Sequence, residues 1–354
     1  MPPPPTRSRK SIKKGVTFTL MIVGASGTGR TTFVNTLCES DVLKHQTEFE
    51  PAQAHIEDPL EIKPVNVELE EDGVRIALTI VDTPGFGDSI DNDPAFGQIL
   101  GYLERQYDDI MAEESRIKRN PRFRDNRVHA LIYFIPPSGH ALREIDIELM
   151  RTLAARVNVI PVIGRSDSLT PSELKAFKKR VMEDIDYYNI PIYNFPYDPE
   201  EDDEETIQEN QHLRSLLPFA IVGSEEEIVV QDEPVRVRRY PWGLVEVDNP
   251  DHSDFTALRN ALLSTHLPDL KEVSELIFRE QTLSRTTDKP SSTLPEHMTS
   301  QSVRIKEEQL RREEEKLREI ELRVQKEIAE RRQELLAKEE TLRNLESRLA
   351  AHGN

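Results

Sequence analysis

A glycine-rich loop separates a strand-like apolar run from a helical segment near the start of the chain. The run Val16–Gly24 is almost wholly apolar, and Gly24, Gly29 and Thr31 then match the pattern G-x-x-x-x-G-K-[ST]. In that pattern the glycines let backbone N–H groups converge on phosphate oxygens, and the following helix adds the positive end of its dipole. The sequence therefore predicts a phosphate-binding P-loop, in which Arg30 stands at the lysine position.

A second phosphate-site motif follows an apolar run that ends at residue 81. Asp82 and Gly85 form the D-x-x-G pattern of GTP-binding proteins. In that pattern the aspartate reaches Mg²⁺, usually through water, and the glycine N–H faces the γ-phosphate position. The pattern is weak alone, and a plain turn at the end of a strand is the alternative reading. Its position two strands after the P-loop favours the nucleotide site.

A third motif follows the buried run 157–163. Residues 164–167 have the position and length of the base-reading element N/T/A-K-x-D, in which the aspartate accepts hydrogen bonds from guanine. Asp167 is kept, whereas Arg165 replaces the lysine. Because a guanidinium can stack on a purine, guanine binding is weakened as an inference but not excluded.

Strand-like and helix-like segments alternate along the first two thirds of the chain. Strands are expected at 16–24, 60–69, 74–82, 128–135, 157–163 and 217–222, and helices at 30–40, 95–118, 143–156 and 171–188. This alternation predicts an α/β fold with a mostly parallel, doubly wound sheet and ligand loops at the carboxyl ends of the strands.

Composition limits the possible partners and the compartment. The net charge of −19 argues against a general nucleic-acid binder. The single cysteine, Cys38, excludes an intrachain disulfide and is expected to be a small buried hydrophobe in a reducing compartment. No apolar run approaches the roughly 20 residues that a membrane span needs, and no secretory signal is recognised. The chain is therefore expected to be cytoplasmic.

The two ends of the chain differ from its centre. The tail 1–14 is rich in proline and carries five basic residues and no acid: Arg7, Arg9, Lys10, Lys13 and Lys14. It is either a solvated tail or a contact for anionic lipid headgroups such as phosphoinositides. Residues 284–300 are expected to be a polar linker, and 301–351 a thin-seamed coiled coil with a lone helix as the alternative.

The chain resembles the septin family over roughly residues 15 to 280. The resemblance rests on segments 82–88, 125–129, 136–140 and 238–247. The region from about 225 to 280 resembles the element that distinguishes septins from small GTPases. The domain 15–283 is therefore expected to be a septin-type G domain, most similar to the fungal septin that ends the rod complex.

The resemblance implies a set of site residues. Those for GTP or GDP would be Gly24, Ser26, Gly27, Thr28, Gly29, Arg30, Thr31, Thr32, Asp82, Gly85, Arg165, Asp167, Gly223 and Arg238. Thr31 and Asp82 would hold Mg²⁺. Trp242 and His140 would lie at the subunit interface across the nucleotide, the G interface, although a core aromatic is an equally good reading of Trp242.

Three departures from the family pattern bear on activity. Arg30 and Arg165 replace lysines, and Pro59 falls where active septins have a switch threonine. Because loss of one well-placed donor typically costs about 10²–10³ in rate, little GTP turnover and weak or absent nucleotide occupancy are expected.

As a septin-like protein, the chain would join other septins in hetero-oligomeric rods. These rods form filaments and rings at the cell cortex, septum or bud neck during cytokinesis. Contacts through the G interface, through the opposite N- and C-terminal interface and through a coiled-coil partner are implied. An active regulatory GTPase and a membrane scaffold that does not polymerise are the alternatives.

Overall fold

The structure is a computed structural model that describes most of the chain up to residue 287. The described residues are 15–45, 62–71, 73–87, 92–118, 120, 123–199, 202–230 and 233–287. The predictions for the basic tail, for Pro59 and for the coiled coil lie outside these residues. The domain boundaries remain predictions.

Strands and helices alternate in the order that the sequence predicts. The elements are β1 (Val16–Gly24), α1 (Arg30–Cys38), β2 (Lys63–Glu71), β3 (Val74–Asp82), α2 (Asp93–Glu114), β4 (Ala130–Ile135), α3 (Glu144–Ala154), β5 (Asn158–Gly164), a 3₁₀ turn (Ser166–Ser168), α4 (Pro171–Tyr187), α5 (Glu204–Leu216), β6 (Phe219–Ile221), β7 (Glu227–Val230), β8 (Glu233–Tyr240), β9 (Gly243–Glu246), α6 (Phe255–Asn260), a π-helical turn (Ala261–Thr265) and α7 (Leu267–Thr287).

Six strands form the central sheet, in the order β2-β3-β1-β4-β5-β6. Strands β3, β1, β4, β5 and β6 pair in parallel, and β2 pairs with β3 as an antiparallel hairpin. The carboxyl ends of the parallel strands therefore meet at one edge of the sheet, where ligand loops are expected. The predicted doubly wound, mostly parallel sheet is confirmed.

Alternate strand residues feed two apolar layers, as the period of two in a strand requires. Phe18, Leu20 and Ile22 of β1 pack in one layer with α1 and α6, whereas Met21 and Val23 pack in the other with α2, α3 and α4. Strands β4 and β5 are buried throughout, which explains their nearly continuous apolar sequence.

Strands β7, β8 and β9 form a separate three-stranded antiparallel sheet after the last parallel strand. Two predicted boundaries change. The sixth strand spans only Phe219–Ile221 rather than 217–222, and α7 continues to Thr287, past the boundary expected at 283. Cys38 is buried, as predicted, and burial raises the pKa of its thiol to about 11. Among the described residues, no helix is long and apolar enough to cross a bilayer.

Candidate nucleotide site and the adjoining sheet

The P-loop turns sharply at the end of β1 because its glycines allow conformations and contacts that other residues cannot. Gly29 has φ +89°, a left-handed conformation that favours glycine. A Cβ at Gly24 would lie 2.6 Å from Phe134 Cβ. The Thr28 hydroxyl donates to the carbonyl oxygen of Ala25 over 2.7 Å, which closes the loop on itself. Ser26 and Gly27 are exposed at its tip.

Arg30, at the lysine position of the loop, reaches across to the segment after β3. Its Nη1 donates to the carbonyl oxygen of Thr83 over 2.6 Å and lies 3.8 Å from Asp82 Oδ1. The side chain is only 13% exposed. A Cβ at Gly85 would lie 3.0 Å from Arg30 Nη2 and would collide with the Ser26 hydroxyl. The guanidinium therefore fills the gap between the P-loop and Gly85.

Asp82 is the one acid of the phosphate side. Burial raises the pKa of its carboxyl, while the charge of Arg30 and a hydrogen bond from the Thr83 backbone oppose that rise. Its Oδ1 is buried and accepts no hydrogen bond from any described residue. An orphaned carboxylate oxygen beside a threonine hydroxyl position, Thr31 in the first turn of α1, fits the oxygen donors that Mg²⁺ prefers.

Arg165, at the lysine position of the base motif, crosses the P-loop. It has φ +50°, and its Nη1 donates to the carbonyl oxygen of Gly27 over 3.2 Å. A Cβ at Gly29 would lie 3.3 Å from its Cγ. The neighbouring Gly164 packs so closely that a Cβ there would collide with the carbonyl oxygen of Thr28. The motif and the P-loop are thus locked together.

Asp167, the base-reading carboxylate, already has two protein donors. Arg238 Nη1 lies 3.2 Å from its carboxylate oxygens, and the Tyr240 hydroxyl donates to its Oδ2. The Asp167 side chain is 3% exposed, whereas Arg238 is 28% exposed. Burial and the Asp167 carboxylate raise the pKa of Tyr240. The hydrogen-bonding capacity that would read a base is used within the chain.

Tyr240 connects this carboxylate to an exposed aromatic face. The Tyr240 and Trp242 rings stack with centroids 5.0 Å apart and planes 13° apart, and the Arg238 guanidinium lies 5.4 Å from the Tyr240 centroid. Trp242 is 82% exposed. The core reading of Trp242 is therefore wrong, because its ring faces solvent on the three-stranded sheet.

Two further sequence-predicted residues lie at the rim. A Cβ at Gly223 would lie 3.3 Å from both Phe33 N and Thr36 Oγ1, so this glycine lets the end of β6 approach α1. His140 is exposed in the loop after β4, where its carbonyl oxygen accepts from Arg180. Among the described residues, no contact joins His140 to Trp242. Thr32 is half-buried in the first turn of α1.

Sequence reasoning overlooked Thr83 and Tyr240. Thr83 is 2% exposed; its hydroxyl donates to the carbonyl oxygen of Ile22, and its own carbonyl oxygen accepts from Arg30. Tyr240 could have been found from the strand period, because residues 238 and 240 of one strand share a face. Nothing in the sequence marks Thr83 as the acceptor for Arg30.

A P-loop at the end of β1, an aspartate at the end of β3 and a second aspartate after β5 define the GTPase class of nucleotide-binding α/β domains. The family model "Septin" matches residues 14–296. The chain belongs to the septin family, and it is a septin subunit of the kind that builds cell-division filaments.

Relatives and a solved structure agree with this assignment. Septin homolog spn3 of Schizosaccharomyces pombe is 52% identical over 97% of this chain and 92% of its own length. Cell division control protein 11 of Saccharomyces cerevisiae is 52% identical over 78% of this chain and 67% of its own length. The crystal structure of a septin GTPase domain from Chlamydomonas reinhardtii is 26% identical with a TM-score of 0.58, covering 76% of this chain and 99% of that one.

Proposed function

We propose that this septin serves as a building block of hetero-oligomeric filaments, with its nucleotide site kept as a structural element and hydrolysis lost. Septins form hetero-oligomers with other septins, and the septin GTPase domain is a guanine-nucleotide-binding fold. The proposal concerns what this particular pocket does within that frame. It expects GTP or GDP to be weakly held or absent.

The position of the Arg30 guanidinium carries the proposal. A P-loop lysine is a compact point charge that reaches the β- and γ-phosphates. Arg30 instead donates to the carbonyl oxygen of Thr83 and lies within 3.0 Å of the place where a Cβ at Gly85 would stand. A γ-phosphate facing the Gly85 N–H would compete with that guanidinium for the same space.

The cost to catalysis follows from how phosphoryl transfer works. Enzymes of this class supply positioned charge rather than covalent chemistry. Loss of one well-placed donor typically costs about 10²–10³ in rate. An arginine committed to a backbone carbonyl, beside an altered base motif, removes more than one such donor.

The base side supports the same view. A guanine would have to compete with Arg238 and Tyr240 for Asp167, whose carboxylate is buried. Displacing a charge-assisted hydrogen bond costs about 1.5–3 kcal/mol, which is roughly 10- to 100-fold in affinity. Any bound nucleotide would therefore be held less tightly than by an open pocket.

If nucleotide does bind, Thr31 and Asp82 are the residues that would hold Mg²⁺. The ion, when bound, would neutralise charge on the β- and γ-phosphates. The buried Oδ1 of Asp82, which lacks a hydrogen-bond donor among the described residues, is the oxygen available for this role.

Assembly through the G interface is the second part of the proposal. The exposed Trp242 ring, backed by Tyr240, presents a flat aromatic anchor of the kind that dominates protein interfaces. The other contacts we propose are the N- and C-terminal interface, a coiled-coil partner for 301–351 and anionic phosphoinositide lipids at the basic tail. Filaments at the cortex, septum or bud neck would be the cellular site.

Turnover and assembly, measured on the same preparation, test the proposal against its alternatives. We expect no GTP hydrolysis above the buffer rate from the purified chain, and rods by electron microscopy at low salt when partner septins are added. Brisk turnover without rods would favour the regulatory GTPase. Absence of both turnover and rods, with vesicle binding retained, would favour the membrane scaffold.

A further inference from the structure

A basic loop with exposed apolar side chains lies at the edge of the sheet opposite the candidate nucleotide site. Segment 115–127, between α2 and β4, holds six lysine and arginine residues and a single acid, Asp125. That composition stands out in a chain whose net charge is −19. A local basic surface on an acidic protein needs a specific reason, since net charge alone disfavours anionic partners.

The topology brings this loop to the edge where the N-terminal tail ends. Strands β1 and β4 are parallel neighbours, and the His129 amide donates to the carbonyl oxygen of Thr19 just below their ladder. Residues before β1 and residues before β4 therefore enter the sheet at the same edge. Paired strands lie about 4.8 Å apart, so the two basic segments meet the sheet side by side.

One buried carboxylate shapes the tip of the loop. Glu113, at the end of α2, is 7% exposed. Its Oε2 lies 2.9 Å from Arg116 Nη1, and its Oε1 accepts from the Asn120 amide. Because both ends of the turn are tied to the same side chain, the residues between them project outward. Ile117 is fully exposed as a result.

The charges divide into paired and free groups. Arg127 is held by Asp125, with its Nε 2.9 Å from Oδ2, and its guanidinium lies 5.0 Å from the Phe278 centroid. Lys118 and Arg124 are exposed, and no ion pair involves either of them among the described residues. Arg127 therefore fixes the loop to α7, while Lys118 and Arg124 stay available to a partner.

Apolar side chains accompany these free charges. Beside the fully exposed Ile117 stands Phe123, which is 39% exposed. A single exposed hydrophobe is ordinary, but an isoleucine and a phenylalanine flanked by unpaired cations match the composition of segments that lie in a membrane interface. A polyanion without an apolar phase would gain nothing from these two side chains.

We infer that Arg116, Ile117, Lys118, Phe123 and Arg124, termed here the loop patch, contact an anionic bilayer surface. The cations would face lipid headgroups, and Ile117 and Phe123 would enter the interfacial layer. The inference is independent of the nucleotide pocket. It also differs from lipid contact by the basic tail, because the loop patch is a structured surface with its own apolar component.

Vesicle flotation with the full chain tests the inference. The parent for this test carries glutamine at the five basic positions of the tail, so that any remaining binding is independent of the tail. The probes are phosphatidylcholine vesicles with about a third phosphatidylserine, and matched vesicles of phosphatidylcholine alone. We expect binding to the anionic vesicles only, weakening as salt rises because screening shortens the reach of the charges.

Two variants and a matched control separate the contributions. Lys118→Gln with Arg124→Gln should lower the partition coefficient about 30-fold, since each cation near an anionic surface contributes about 1 kcal/mol. Ile117→Ser with Phe123→Ser should weaken binding by a similar amount. The control, Lys175→Gln with Lys179→Gln, makes the same charge change on exposed residues of α4 and should lower it less than threefold.

The inference fails if the loop-patch variants bind anionic vesicles as the parent does. It also fails if they keep vesicle binding but lose assembly with partner septins, which would make the loop patch a protein contact. Urea unfolding of each variant guards against misfolding, and its midpoint should match the parent because all substituted side chains are exposed. Loss of binding on neutralising the tail alone, with no residual attraction to anionic vesicles, would equally overturn it.

Discussion

The guanidinium of Arg30 donates from Nη1 to the carbonyl oxygen of Thr83 over 2.6 Å, which joins the helix after the P-loop to the segment after β3. The donor belongs to one phosphate-site motif and the acceptor to the other. In a working site both segments would face the nucleotide. Here an internal contact links them directly.

Arg30→Lys should raise nucleotide affinity. The shorter, compact ammonium cannot donate to Thr83 and fill the space beside Gly85 at once, so it becomes available to phosphate. A charge-assisted hydrogen bond of about 1.5–3 kcal/mol predicts roughly 10- to 100-fold tighter binding of a fluorescent GTP analogue. Arg75→Lys, on an exposed residue of β3, should leave affinity unchanged. Equal affinity of parent and Arg30→Lys would contradict this account of the site.

The pair formed by Arg238 and Asp167 should matter for stability. Arg238→Ala leaves a carboxylate that is 3% exposed with Tyr240 as its remaining side-chain donor. We expect a loss of about 1.5–3 kcal/mol in the free energy of unfolding, against about 1 kcal/mol for Tyr240→Phe. In urea titrations, Arg238→Ala combined with Asp167→Asn should cost less than the two single changes added together, because they share one interaction. Strict additivity would show that the pair is not coupled.

Trp242→Ala should separate assembly from folding. The ring is 82% exposed, so the free energy of unfolding should change by less than about 1 kcal/mol. Association with a partner septin should weaken by about 2 kcal/mol or more, roughly 30-fold, as measured by sedimentation. Tyr187→Ala, which removes another exposed aromatic, is the matched control and should leave association unchanged. A destabilised Trp242→Ala variant would argue that the ring supports the fold.

His129 should make the fold sensitive to acid. Burial and the charge of Lys271 lower the pKa of His129 from its usual 6.5 to about 4, and its Nδ1 accepts from the Thr19 amide. Because the unfolded chain takes up the proton first, this stability is complete above about pH 6.5 and is lost as the pH falls towards 4. The loss approaches about 3 kcal/mol.

Urea unfolding between pH 4.5 and 7.5 measures this dependence. His129→Asn should flatten the profile, because the amide oxygen can accept from Thr19 without taking up a proton. Burial also lowers the pKa of His266, so part of the slope should persist in His129→Asn and fall further when His266→Asn is added. An unchanged slope in the single variant would exclude His129 as its source.

The order of elements and the phosphate-side motifs could be predicted from the sequence because they depend on local patterns. Apolar runs and glycine spacing are visible along the chain, and they marked β1, the P-loop and the D-x-x-G segment. Contacts that depend on long-range packing could not be predicted in this way. The partner of Arg30 lies 53 positions away and that of Asp167 more than 70 positions away.

Surface exposure was equally hidden. A tryptophan at 242 reads as core or as interface until the three-stranded sheet places its ring in solvent. Conversely, the strand boundaries shifted where a proline or a helix end intervened. Leu217 is followed by Pro218 and precedes the short β6, so the apolar run was longer than the strand itself.

The central claim is that the pocket of this septin is satisfied by its own side chains rather than by nucleotide. The most direct measurement is mass analysis of nucleotide released from the purified chain and from its hetero-complex, with the contribution of each partner measured separately. The account predicts well below one guanine nucleotide per copy of this subunit. One GTP or GDP per copy, converted at a measurable rate, would contradict it.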